Sequence, residues 1–174
     1  LNWGCIPTKA LLKASELYAS IEKAAEFGIK TNGATVDVKK LIERSRDVAG
    51  GLSQGVEFLM KKNNVDVFMG QASFAGPKAL AVQLNEGGEE SLLFKNAIVA
   101  TGARPREVKG VLETNGENVW HYRHAMTPEK LPKSLLVIGS GAIGMEFASF
   151  YNTLGTQVQV VEAQENILPV EDKE

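Results

Sequence analysis

The 174-residue chain is 44% hydrophobic and 23% charged with a formal net charge of −2, the balance of a globular protein without the basic face that a nucleic-acid partner needs. No apolar run reaches the about 18–20 residues that span a bilayer. The lone cysteine, Cys5, excludes an intramolecular disulfide scaffold and favours a reducing compartment, and with only His121 and His124 beside it argues against zinc.

In chain order, Leu1–Leu12 comes first and sets Cys5 two residues before Pro7, at the mouth of an apolar helix. Proline in a first turn costs little, because its missing N–H would have no helical partner there. Leu11, Leu12, Leu17, Ile21 and Ala24–Ala25 recur at helical spacing, so a helix is predicted from Ala10 to about Glu26, with Gly28 as its stop. Asp37 is the expected cap of a second helix that runs to about Lys62 and buries Val38, Leu41, Ile42, Val48, Leu52, Val56, Phe58 and Leu59. Gly50-Gly51 interrupt this pattern, at a cost of roughly 1 kcal/mol each against Ala. They mark either a close approach by another helix or a cofactor, or a break.

Val65–Met69, Ala79–Leu84 and Ser91–Phe94 read as short strands of an antiparallel meander, divided by turns at Ala75-Gly76-Pro77 and Asn85-Glu86-Gly87-Gly88. Asn96–Ala100 reads as a further strand ending in Thr101-Gly102. Residues 103–132 carry three prolines and read as an irregular crossover, with His121 and His124 as loop residues. Strand Ser134–Ile138, a helix from Ala142 to Leu154 stopped by Gly155, and strand Gln157–Val161 form a βαβ unit. One such unit exposes both sheet edges. With a first residue that is not Met and no leader pattern at the start, the chain is expected to be an internal piece of a longer protein.

The strongest chemical signal is Gly139, Gly141 and Gly144, placed after a strand and at the opening of a helix, with Glu162 at the end of the next strand. Gly139 permits the tight turn, Gly141 admits a pyrophosphate to the backbone, and Gly144 lets helix and strand pack closely. Ser140, Ala142 and Ile143 complete the loop, and the helix N-terminus offers free N–H donors. Glu162 can accept from ribose hydroxyls and would repel a 2′-phosphate, so NAD is favoured over NADP. The plainer alternative is a glycine-rich turn that binds nothing. The run Ile98–Ala103 either brings backbone to a ligand at Thr101, Gly102 and Ala103 or simply leaves a sheet. Cys5 is either a thiol activated by a helix N-terminus, with Lys9 one turn on, or a buried inert cysteine. Lys9 and Glu146 are solvated, or they meet as an ion pair.

Together these motifs resemble the flavoprotein disulfide reductases, essentially end to end. Leu1–Leu12 is similar to the family's redox segment, Asn96–Ala103 to its second flavin-contacting strand, and Gly139–Glu146 with Glu162 to its pyridine-nucleotide fingerprint. The resemblance implies an α/β fold: an incomplete Rossmann-like FAD domain of helices and meander at 1–103, then a crossover and the first βαβ unit of an NAD domain at 104–174. It implies that Cys5 is the flavin-facing member of a redox pair whose first cysteine would precede Leu1. It implies that Lys9 and Glu146 serve the flavin and the nicotinamide, and that the backbone of Gly70-Gln71-Ala72 meets the adenine of FAD, chiefly through Ala72. Residues 2–12 are most similar to the branch of the family that oxidises protein-bound dihydrolipoamide and reduces NAD. Relatives of the transhydrogenase, mercuric and glutathione type are the alternative within the family, and a nucleotide-binding module without redox chemistry is the alternative outside it. The implied partners are a second copy of the chain and the lipoyl domain of a 2-oxo acid dehydrogenase or glycine cleavage complex, in the bacterial cytoplasm or the mitochondrial matrix. The chain alone, without the first cysteine, the FAD glycine loop and the dimerisation domain, is expected to be inactive.

Overall fold

A computed structural model describes residues 1–107, 110, 113–169 and 171–172. Helix α1 spans Cys5–Glu22 and starts ahead of Ala10, because Pro7 sits in its first turn, where no helical N–H is needed. Helix α1 ends at Glu22, short of the expected Glu26, and a 3-10 turn at Ala24–Phe27 follows, so Gly28, with a left-handed φ of 78°, closes that turn and not the helix. Helix α2 spans Val38–Lys62, and the Asp37 carboxylate accepts from the Lys40 N–H at 3.0 Å as its cap. Then come strands β1 (Gly70–Gly76), β2 (Ala79–Leu84) and β3 (Glu89–Leu93), helix α3 (Tyr122–Met126), strand β4 (Ser134–Ile138), helix α4 (Ala142–Thr153) and strand β5 (Gln157–Val161). Of the expected crossover, residues 108, 109, 111 and 112 lie outside the described residues.

The chain divides into two compact units, Leu1–Gln54 with Pro105–Glu174, and Gly55–Arg104. In the first, α4 packs on one face of the parallel pair β4–β5 and against α1. Leu11 of α1, Met126 of α3, Phe147, Phe150 and Tyr151 of α4, and Leu154 just after it form its core. Tyr151 is fully buried and its hydroxyl donates to the Ala125 carbonyl at 2.7 Å. Burial pushes that phenol well above the ordinary tyrosine range. The buried Thr156 hydroxyl donates to the Pro132 carbonyl at 2.8 Å and fixes the entry to β5.

The expected stripe of α2 is buried only near its start. Leu41 and Ile42 reach the core, whereas Val48, Leu52, Val56, Phe58 and Leu59 are exposed. The helix runs unbroken through Gly50-Gly51, and a Cβ on either would meet no atom of the chain within 4 Å. Neither a break nor a close helix approach within the chain accounts for that pair.

The second unit is an antiparallel meander in the order β1-β2-β3. Gly87 and Gly88, with φ of 95° and 88°, turn β2 into β3. Gly70 lies so close to β2 that a Cβ there would run into the Gln83 carbonyl. Two expected strands are absent. Val65–Met69 and Asn96–Ala100 have extended patterns but form no ladder among the described residues; of the first, only the ends bond, the Val65 N–H donating to the Met60 carbonyl and the Met69 carbonyl accepting from the Asn85 N–H. Ile98 and Val99 are accordingly 94% and 67% exposed. His121 and His124 also depart from expectation, for they cap α3. The Nδ1 of His121 accepts from the Arg123 N–H at 3.1 Å, and that of His124 accepts from the His121 N–H at 3.4 Å.

Candidate functional site

Cys5 is the first residue of α1, exposed and free, at the positive end of the helix. The turn before it is tied down from several sides. The Arg46 guanidinium donates to the Asn2 carbonyl at 2.7 Å, and the Ser53 hydroxyl to the Asn2 side chain at 2.9 Å. The Trp3 ring faces two guanidiniums, Arg46 at 4.5 Å and Arg123 at 5.2 Å from its centroid. The buried Thr8 hydroxyl donates to the Gly4 carbonyl at 2.8 Å. Cys5 is therefore held on a turn that α1, α2 and α3 all constrain.

Lys9 lies one turn beyond Cys5, on the same face of α1. Its Nζ pairs with Oε1 of Glu146 on α4. Of the two readings the sequence leaves open, the ion pair is the one realised. The Lys9 side chain is 59% exposed and that of Glu146 28%, so the pair contributes little to stability in water. Its consequence is geometric, for it joins the cysteine helix to the helix that follows the glycine loop.

That loop has the three features a dinucleotide requires. Gly139 turns with a φ of 99°, and its N–H donates to the Val161 carbonyl at 2.8 Å. A Cβ at Gly144 would run into the Gly139 carbonyl oxygen and come within 3.3 Å of Val137, whereas at Gly141 it would meet nothing within 4 Å. Gly144 thus serves packing, and Gly141 leaves an open approach to the backbone. The first helical hydrogen bond of α4 runs from the Met145 N–H to the Gly141 carbonyl. The amides of Ala142, Ile143 and Gly144 have no acceptor inside the helix, and no side chain caps them.

Glu162 follows β5 and turns back onto the loop. Its Oε2 accepts from the Ser140 N–H at 2.7 Å and the Ser140 hydroxyl at 2.8 Å. Its Oε1 accepts from the amides of Ala163 at 2.7 Å and Gln164 at 3.0 Å. The Ser140 and Gln164 amides and the Ser140 hydroxyl hold its carboxyl at about 2, far below the ordinary glutamate value.

The family model of the pyridine nucleotide-disulphide oxidoreductases matches residues 1–174. The chain belongs to this family. It is 47% identical over 174 residues to the dihydrolipoyl dehydrogenase of Zymomonas mobilis subsp. mobilis, and 44% identical over 189 to that of Rhizobium etli. All of this chain is covered, but only 37% and 39% of those relatives. The crystal structure of LpdA from Mycobacterium tuberculosis matches 99% of the chain with a TM-score of 0.86 at 25% identity, and 38% of LpdA is covered. The HOCl-induced flavoprotein disulfide reductase RclA from Escherichia coli matches 99% of it with a TM-score of 0.76 at 28% identity, and 35% of RclA is covered. The Rossmann-like α/β fold expected from the motifs is thus that of the flavoprotein disulfide reductases.

The remaining residues expected to meet a cofactor in this family member lie in the meander unit. Gly70 and Ala72 belong to β1, an edge strand that leaves alternate backbone groups unpaired. Thr101, Gly102 and Ala103 are exposed, and Gly102 has a φ of 75°. Sequence reasoning missed the Arg46–Trp3–Arg123 stack and the tie between Ser140 and Glu162. The only sequence signal for the second was the hydroxyl between Gly139 and Gly141.

Proposed function

We propose that the protein containing this chain is a dihydrolipoyl dehydrogenase, which oxidises protein-bound dihydrolipoamide to lipoamide and reduces NAD to NADH. The observation that carries this reading is the ion pair between Lys9 and Glu146, which links the cysteine helix to the nucleotide-loop helix across 137 residues of sequence. Each oxidation removes two electrons and two protons from the dithiol. A hydride's worth goes to NAD, and one proton goes to solvent. FAD, when bound, supplies a two-electron acceptor between thiol and nicotinamide.

Residues 1–103 belong to the flavin domain and residues 104–174 to the crossover and the start of the NAD domain. Cys5 supplies the flavin-facing thiolate, held on its constrained turn. Lys9 and Glu146 hold the reacting ends of the flavin and the nicotinamide. Gly70, Ala72, Thr101, Gly102 and Ala103 hold the flavin cofactor. The loop 139–144 receives the NAD pyrophosphate on the open side of Gly141 and the free amides of α4, and Glu162 receives the adenosine ribose. An ionised Glu162 disfavours a 2′-phosphate, which supports NAD over NADP. Lipoyl domains as partners, a homodimer as the working form, and a bacterial cytoplasm or mitochondrial matrix as the compartment complete this reading. No helix among the described residues is long and apolar enough to cross a membrane.

The test is the visible spectrum of the full-length protein. Reduction by one equivalent of dithionite is expected to raise a long-wavelength thiolate–flavin band that Cys5→Ser abolishes. A reduced protein without that band would falsify the role of Cys5.

A further inference from the structure

Glu162 has four acceptor sites, and four donors of its own chain occupy them. A ribose that binds this carboxylate must displace one of them. The two oxygens are not equivalent in this respect. Oε2 faces Ser140, which is fully buried, and the carbonyl of Ser140 is engaged by the Leu168 N–H at 3.2 Å. A buried hydroxyl that released Oε2 would have no water to turn to, and an unsatisfied buried donor is costly. Oε1 faces the amides of Ala163 and Gln164, both exposed residues, whose N–H groups water can satisfy at once.

Building on the dinucleotide reading above, we propose that Ser140 is a positioning residue for the adenosine ribose. It pins Oε2 of Glu162 inward, so that Oε1 is the oxygen that exchanges its exposed amide partners for the ribose hydroxyls. The side chain thereby fixes the rotation of the carboxylate before the ligand arrives, which removes an ordering cost from binding. The glycine loop and Glu162 then act as one unit, since the residue between the first two glycines holds the acid that reads the ribose.

The test is titration of the full-length protein with NADH, AMP and 2′,3′-dideoxy-AMP, for the wild type, Ser140→Ala and Ser140→Cys. The cysteine keeps the side chain's shape but is a weak donor, so it separates the hydrogen bond from the volume and remains informative should the alanine variant fold poorly. Both variants are expected to weaken NADH and AMP by about tenfold, the loss of one hydrogen bond to a charged group, and to leave dideoxy-AMP unchanged. Carbon NMR is expected to show the Glu162 carboxylate titrating at higher pH in both. Unchanged NADH affinity overturns the proposal, as does equal weakening of AMP and dideoxy-AMP, which would reduce Ser140 to a support of loop structure. A wild type that binds neither NADH nor AMP overturns instead the dinucleotide reading on which the proposal rests.

Discussion

Gly144 and Gly141 stand three residues apart in the same loop, yet alanine at each should produce opposite phenotypes. At Gly144 the new Cβ would run into a backbone carbonyl, that of Gly139, and press on Val137 at 3.3 Å. A carbonyl on the first turn of the loop cannot swing away as a side-chain tip could. Overpacking of this kind costs about 1–3 kcal/mol, and the rigid obstacle places Gly144→Ala at the upper end. The gain in helix propensity, about 1 kcal/mol, offsets part of it. The net loss is about 2 kcal/mol, read as a lower melting temperature. At Gly141 the backbone, with φ −64° and ψ 168°, suits any residue, and the methyl meets nothing. Gly141→Ala forfeits only the cap preference, about 0.5 kcal/mol, but places a methyl where the pyrophosphate approaches. Thermal unfolding by circular dichroism and NADH titration, run on both variants of the full-length protein, should separate them. Gly144→Ala melts lower, while Gly141→Ala melts nearly normally and loses NADH by at least about tenfold, the equivalent of one or more hydrogen bonds to a charged group. An unchanged melting temperature in the first, or unchanged NADH affinity in the second, refutes the division of roles.

Two further outcomes follow from buried and charged contacts. Tyr151→Phe leaves the half-buried Ala125 carbonyl without its donor, so the urea midpoint should fall by the equivalent of about 1 kcal/mol; a variant as stable as the wild type would show that the carbonyl finds another partner. Glu162 is depressed in the folded state to about 2, so its contribution to stability is complete above the ordinary glutamate range and is lost as pH falls through about 2. Unfolding measured between pH 6 and pH 2 should therefore decline less steeply for Glu162→Gln than for the wild type, and parallel curves would show that the four hydrogen bonds persist in the unfolded chain or never form.

Legibility from sequence followed the range of the physics involved. The unit β4–α4–β5 is written locally, with Gly139 for the turn, Gly155 for the stop at a φ of 95° and Glu162 after the second strand, and its expected bounds agree with those observed to within a residue. Asp37 marks the start of α2 for the same reason, whereas Gly28 closes the 3-10 turn that follows α1. The start of α1 was placed too late because Ile6-Pro7-Thr8 carries no periodicity, and Pro7 and Thr8 are buried by packing rather than by pattern. Val65–Met69 and Asn96–Ala100 have strand composition without a strand to pair with, and composition alone makes no ladder. The stripe of α2 shows which face is apolar but not whether anything covers it. For Lys9 and Glu146 the sequence leaves solvated charges and an ion pair both open, and only the docking of α1 on α4 decides for the pair.

The division of the chain bears on the order in which it can fold. The meander β1-β2-β3 pairs neighbouring segments and can close as soon as it is made. Helix α1 must instead wait for α4, since Lys9 is 137 residues ahead of Glu146. At ribosomal speeds of about 5–20 residues per second, that is a delay of about 7–27 s. Throughout it, Leu11 has no core to enter and Cys5 stands on a helix whose partner has not been synthesised. Helix α1 is thus made long before its packing partner, and its place in the core is secured late.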